Sequence, residues 1–184
     1  MPIVIGTKQE SDFSDPIGML GDCHRRIERF LGVLQKLAAE QRGASLTDAE
    51  RAALQTSLRY FRDAAPKHTA DEEESLFPRM RKTGDPGTQM LLDRITTLES
   101  DHKIAEAAHD EVNALGQTWL SRGHLNPAEA SRLSALLGQL VTLYARQIAL
   151  EDSDVFPTAV RLLSPADRRA IGLEMASRRG LRSM

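Results

Sequence analysis

Three of the five histidines, His24, His68 and His102, fall on apolar helical stripes, as do the carboxylates Glu72 and Glu151. A helix-bundle interior disfavours imidazoles and carboxylates unless something satisfies them. A single histidine on such a stripe reads as a hydrogen-bonded core residue. Three histidines with two carboxylates read instead as a metal-binding set. Residues four apart on a helix bring their heads to one place, which is the geometry that a metal pair requires. Imidazole with carboxylate suits iron, manganese or zinc rather than calcium or copper(I).

The spacing of these residues repeats. The segment from His68 to Pro78 and the segment from Gln147 to Pro157 match at four positions, each 79 residues apart: His68 with Gln147, Glu72 with Glu151, Phe77 with Phe156, and Pro78 with Pro157. A looser echo pairs His24 and Glu28 with His102 and Glu106. The chain therefore reads as a duplicated helix pair that points similar side chains at a common axis.

Four long helices are predicted to carry these stripes. Asp15-Pro16 opens the first, which holds Ile17, Leu20, His24, Ile27, Leu31 and Leu34 and ends near Gly43. A Thr47–Glu50 capping box opens the second, with Leu54, Leu58, Phe61, Ala65, His68, Glu72 and Leu76 on one face. Pro66 predicts a break within it, and Pro78 its end. The third runs from Leu91 through His102 and His109 to near Gly123. The fourth opens at Asn126-Pro127, carries Tyr144, Gln147 and Glu151, and is interrupted by Pro157. Ser164-Pro165 starts a short fifth helix. No segment shows two-residue alternation, so an all-α, up-down-up-down four-helix bundle is expected over residues 15–163. An N-terminal arm (1–14) and a C-terminal helix with a basic tail (164–184) complete the expected organisation, the tail being read as solvated.

Composition excludes several classes. With 24 Lys+Arg against 26 Asp+Glu the formal charge is −2, and only eight aromatic residues are present, so bulk nucleic-acid binding is not expected. The lone cysteine, Cys23, excludes an internal disulfide framework. No run approaches the roughly 18 apolar residues of a membrane span, and residues 1–7 lack a basic leader region. A cytoplasmic location without a membrane partner is the expectation.

At His68-Thr69-Ala70-Asp71-Glu72-Glu73-Glu74-Ser75-Leu76-Phe77-Pro78 the chain resembles the hemerythrin-like proteins, the HHE cation-binding domain family, whose His-x-x-x-Glu segment closes in Leu-Phe-Pro. Asp101-His102-Lys103-Ile104 and the segment Asp22–Ile27 around His24 resemble that family's other histidine segments. The resemblance implies two irons between four antiparallel helices. It places His24 and His68 on one metal, His102 on the other, and Glu72 and Glu151 between them. Gln147 stands where the family usually has histidine, and a glutamine carbonyl is a weaker neutral donor. Glu106, one turn after His102, is the candidate to compensate, and Tyr144 could donate a phenolate or a hydrogen bond. Three outcomes stay open: an altered two-metal site, an asymmetric one, or a single metal. His109 is read as a supporting or core group, since seven helical residues separate it from His102 by about 10 Å. Glu73 could reach the site from the flank, Glu28 could orient an imidazole or pair at the surface, and His124 reads as exposed. Cys23 points about 100° from its neighbour His24, against thiolate ligation.

Two function classes follow from the resemblance. One is a module that binds or senses oxygen or a related diatomic such as nitric oxide. The other is an enzyme acting on peroxide or nitric oxide, or supporting repair of iron centres. A metal-free structural bundle is the third reading.

Overall fold

A computed structural model describes residues 10–181. The expected arm at 1–14 and basic tail at 164–184 therefore lie partly outside the described residues, at 1–9 and 182–184. The described chain is all-helical, and no strand occurs among the described residues.

Helix α1 spans Pro16–Gln41, with the Asp15 side chain accepting from the Gly18 N–H. Helix α2, Asp48–Asp63, starts on the Thr47–Glu50 capping box. The break expected at Pro66 falls at Ala64, and α3 (Ala65–Ala70) resumes with the proline in its first turn, where a missing N–H costs nothing. A π-helical turn, Asp71–Leu76, follows and leads into α4, Phe77–Lys82. Pro78 thus does not end the second helix. The π turn accommodates an extra residue, and the proline falls in the first turn of α4, where no N–H is required. Helix α5 covers Gln89–Arg122 and ends on the left-handed Gly123. Helix α6, Pro127–Leu150, opens on an Asn126–Glu129 capping box. A second π turn, Glu151–Val155, leads into α7, Phe156–Leu162, so Pro157 likewise follows a π turn while the helical path continues. Helix α8, Pro165–Arg178, is capped by Ser164 and Asp167.

Helix α1 packs against α2 and α6, and α5 packs against the same two. The ring of contacts encloses one axis. Its apolar filling falls into two clusters. One includes Ile27, Leu31, Phe61, Ala105, Val112, Trp119 and Leu140. The other includes Leu20, Leu76, Phe77, Leu98, Val155, Phe156 and Ile171. Between them, on every long segment, lies a polar residue: His24 between Leu20 and Ile27, Glu72 between Ala65 and Leu76, His102 between Leu98 and Ala105, Glu151 between Ile148 and Val155. The polar layer divides the core into two hydrophobic halves.

Helix α8 joins the second half through the fully buried Ile171 and Met175. It lies close against the chain that enters α1, because a Cβ on Gly172 would collide with the Phe13 carbonyl oxygen. The fourth helical path, Pro127–Leu162, contains an 18-residue window of mean hydropathy 1.2. No spanning run is expected from the sequence, yet this helix is long and apolar enough to cross a membrane by length and composition, and it packs against α1 and α5.

Candidate metal centre

His24, His68, Glu72 and Glu151 are buried, and one ligand atom from each lies within 4.8 Å of all the others. His24 Nε2 is 2.9 Å from Glu151 Oε2. His68 Nε2 is 3.5 Å from Glu72 Oε1. His102 Nε2 faces both carboxylates, at 3.5 Å from Glu72 Oε2 and 3.9 Å from Glu151 Oε1. Each carboxylate therefore lies between His102 and one of the other two histidines. Gln147 is buried beside them and helps line an inner void of about 10 Å³ with His24, His68, His102, Tyr144 and Glu151. That is space for about one water-sized sphere.

The remaining ring nitrogens fix the imidazoles. His24 Nδ1 is 2.8 Å from Asp152 Oδ1, and His102 Nδ1 is 2.7 Å from Glu73 Oε1. Glu73 and Asp152 are the residues after Glu72 and Glu151, again 79 apart. The two-fold relation of the halves thus extends to the groups that orient the histidines. Glu73 reaches the site from the flank as the sequence suggested. Asp152 was not singled out, although the repeat marks it as the counterpart of Glu73.

The electrostatics show an unbalanced centre. Glu72 is held well above the usual carboxyl range, first by burial and then by the charge of Glu151. Burial pushes His68 well below the usual imidazole range, with His24 and His102 adding to the effect. Burial also opposes charge on His24, but the carboxylates of Asp152 and Glu151 outweigh it and raise this ring to about 9. Burial thus opposes charge on Glu72 and His68, while carboxylate neighbours favour the charged form of His24.

Unpartnered buried atoms point to what is needed. Both oxygens of Glu72, Glu151 Oε1, His68 Nδ1 and Gln147 Nε2 lack hydrogen-bond partners. Native interiors seldom leave such groups unsatisfied. The donors gathered here are imidazole nitrogen and carboxylate oxygen, and a cation satisfies both. The Gln147 amide can turn over without a change of shape, bringing its carbonyl oxygen to the same place. The residues present therefore fit a metal group.

Other candidates lie elsewhere. Glu106 is exposed on the wall of an outer cavity of about 360 Å³, outside the ligand cluster. Glu28 is exposed on α1, and the orientation of His24 falls to Asp152 instead. His124 is exposed, as expected. Cys23 is buried near Arg26 and is not among the clustered ligands. His109 stacks on Phe61 at 4.2 Å and lies 2.9 Å from the Tyr144 hydroxyl through Nε2. Burial lowers His109 to about 4 and raises the Tyr144 phenol. Tyr144 lines both the inner void and the outer cavity, so the pair stands between them.

Residues 15–159 match the Hemerythrin HHE cation binding domain, and the chain belongs to that family of helical cation-binding proteins. It is also similar to an uncharacterized protein of Haemophilus influenzae, with 30% identity over 177 residues covering 96% of each chain.

Proposed function

We propose that this protein is a cytoplasmic non-haem di-iron protein built as an up-down-up-down bundle, and that it binds or senses dioxygen or a related diatomic. The observation that carries this reading is the pair of buried glutamates, each between His102 and a histidine of the other set, with both oxygens of Glu72 unpartnered. Iron pairs among such donors bind small diatomics and exchange electrons with them.

The chain's residues have distinct tasks in this reading. His24 and His68 would hold one ion, His102 and Gln147 would hold the other, and Glu72 and Glu151 would supply carboxylate oxygens to both. Asp152 and Glu73 keep the metal-facing nitrogens of His24 and His102 aimed inward. Gln147 supplies a neutral oxygen where its counterpart His68 supplies a nitrogen, so the second position is the weaker one. The Tyr144 hydroxyl and His109 Nε2 share a hydrogen bond of 2.9 Å, which fixes the phenol at the edge of the inner void. No nucleic-acid or membrane partner enters.

The experiment is optical. Protein loaded with ferrous iron should change its near-ultraviolet and visible absorption when oxygen or nitric oxide is admitted, and recover when the gas is removed. No change with either gas would sink the sensing role.

The outer cavity favours a second reading. Its volume of about 360 Å³ beside His102 exceeds what a diatomic needs. An enzyme acting on peroxide or nitric oxide, or supporting iron-centre repair, would use that space. Many turnovers of peroxide per protein would select it, whereas a stoichiometric reversible change selects binding.

A further inference from the structure

The π turn that carries Glu72 is gripped from outside the family-matched region. Asp71, the first residue of that turn, is fully buried. Its two carboxylate oxygens accept from Arg178 Nη1 at 2.9 Å and Arg179 Nη2 at 2.7 Å, at the end of α8. Arg178 also donates to Glu74 Oε2 at 3.0 Å and to Ser75 Oγ at 2.9 Å. One arginine therefore touches three residues of the turn, on both sides of Glu72 and Glu73. This corrects the reading of the basic C-terminal segment as solvated, at least for Arg178 and Arg179. Arg182 lies outside the described residues.

The grip breaks the internal symmetry. The position 79 residues after Asp71 is Leu150, so the second π turn has no matching carboxylate. A buried carboxylate is costly unless it is paired, and a hydrogen bond from a separate guanidinium to each oxygen fixes both its place and its orientation. The peptide joining Asp71 to Glu72 is thereby held in a turn whose i→i+5 bonding is uncommon. Glu72 itself has no hydrogen-bond partner on either oxygen. Its aim depends on its backbone, and α8 supplies the restraint.

We propose that Asp71 is a positioning residue for the metal centre, held by Arg178 and Arg179, so that α8 sets the aim of Glu72 and with it metal affinity. This rests on the metal-binding reading above.

Cobalt(II) is the probe, because its visible spectrum reports coordination geometry. Co(II) affinity, Co(II) spectrum and Tm are compared across full-length variants. Asp71→Ala should weaken Co(II) binding at least ten-fold and change the spectrum. The double variant Arg178→Gln/Arg179→Gln should do the same, and it carries the test if Asp71→Ala fails to fold. The triple variant removes the buried charge together with its partners. It should regain thermal stability relative to the double variant without regaining Co(II) affinity. Ser164→Ala removes the cap at the opposite end of α8, away from the π turn. It should lower Tm while leaving Co(II) affinity and spectrum unchanged. Wild-type affinity and spectrum in Asp71→Ala, or in the double variant, would overturn the proposal. Recovery of affinity in step with stability in the triple variant would do so as well. Failure of the wild type to take up Co(II) would remove the metal-binding reading itself, a result distinct from either.

Discussion

At the scale of single residues, the centre is defined by what is left unpaired. Glu72 contributes most, because burial and the nearby charge of Glu151 both act against its ionised form. A raised carboxyl means that the folded protein holds its proton to higher pH than the unfolded chain does. Stability of the metal-free protein is therefore lost as pH rises above the ordinary Glu range. Glu72→Gln should raise the Tm of metal-free protein at pH 8, leave it nearly unchanged at pH 4, and abolish tight metal binding. Thermal scans at the two pH values check this, and an equal shift at both would contradict it. His109 has the opposite dependence. Its pKa near 4 makes the native state lose stability as pH falls from about 6.5 toward 4. His109→Phe should flatten that limb by an amount on the order of 2–3 kcal/mol, read from urea unfolding at pH 7 and pH 4.5. Gln147→His should tighten the weaker metal position about ten-fold or more, measured by titration against a competing chelator. Unchanged affinity would mean that Gln147 does not serve the site.

At the scale of elements, the two π turns aim the centre. Each begins at or just before one of the two buried glutamates and ends before a Phe-Pro pair. The extra residue offsets the face before each turn from the face after it, so Glu72 and Glu151 enter the polar layer while Phe77 and Phe156 stay buried. Deleting the exposed Ser153 should convert the second turn to regular α-helix and rotate one side of it by about 100°. Far-ultraviolet circular dichroism should stay helical while metal content falls. Retained metal at wild-type affinity would show that the π turn is incidental. None of this was legible in the sequence, because π turns leave no spacing signal and the prolines after them looked like terminators. The helices themselves were legible: the caps at Asp15, Thr47, Asn126 and Ser164 all start elements where expected.

At the scale of the whole molecule, a duplicated pattern folds into two hydrophobic halves with a polar layer between them. His24, His68, His102, Glu72, Gln147 and Glu151 could be read as inward from periodicity alone, because burial follows the stripe. Asp152 escaped notice because it is half exposed and sits in an acidic run. Glu106 shares the stripe spacing of His102 yet is exposed, since the cavity opens at its turn of α5. Arg178 and Arg179 could not be paired with Asp71 by any local pattern, being 107 and 108 residues away. The central claim is that this layer holds two metal ions. The most direct measurement is iron per chain after anaerobic loading and desalting, for wild type, His68→Ala and His124→Ala. About two irons in wild type and His124→Ala, with a clear loss in His68→Ala, are expected from the donor set. No bound iron in wild type, or equal iron in both variants, would contradict it.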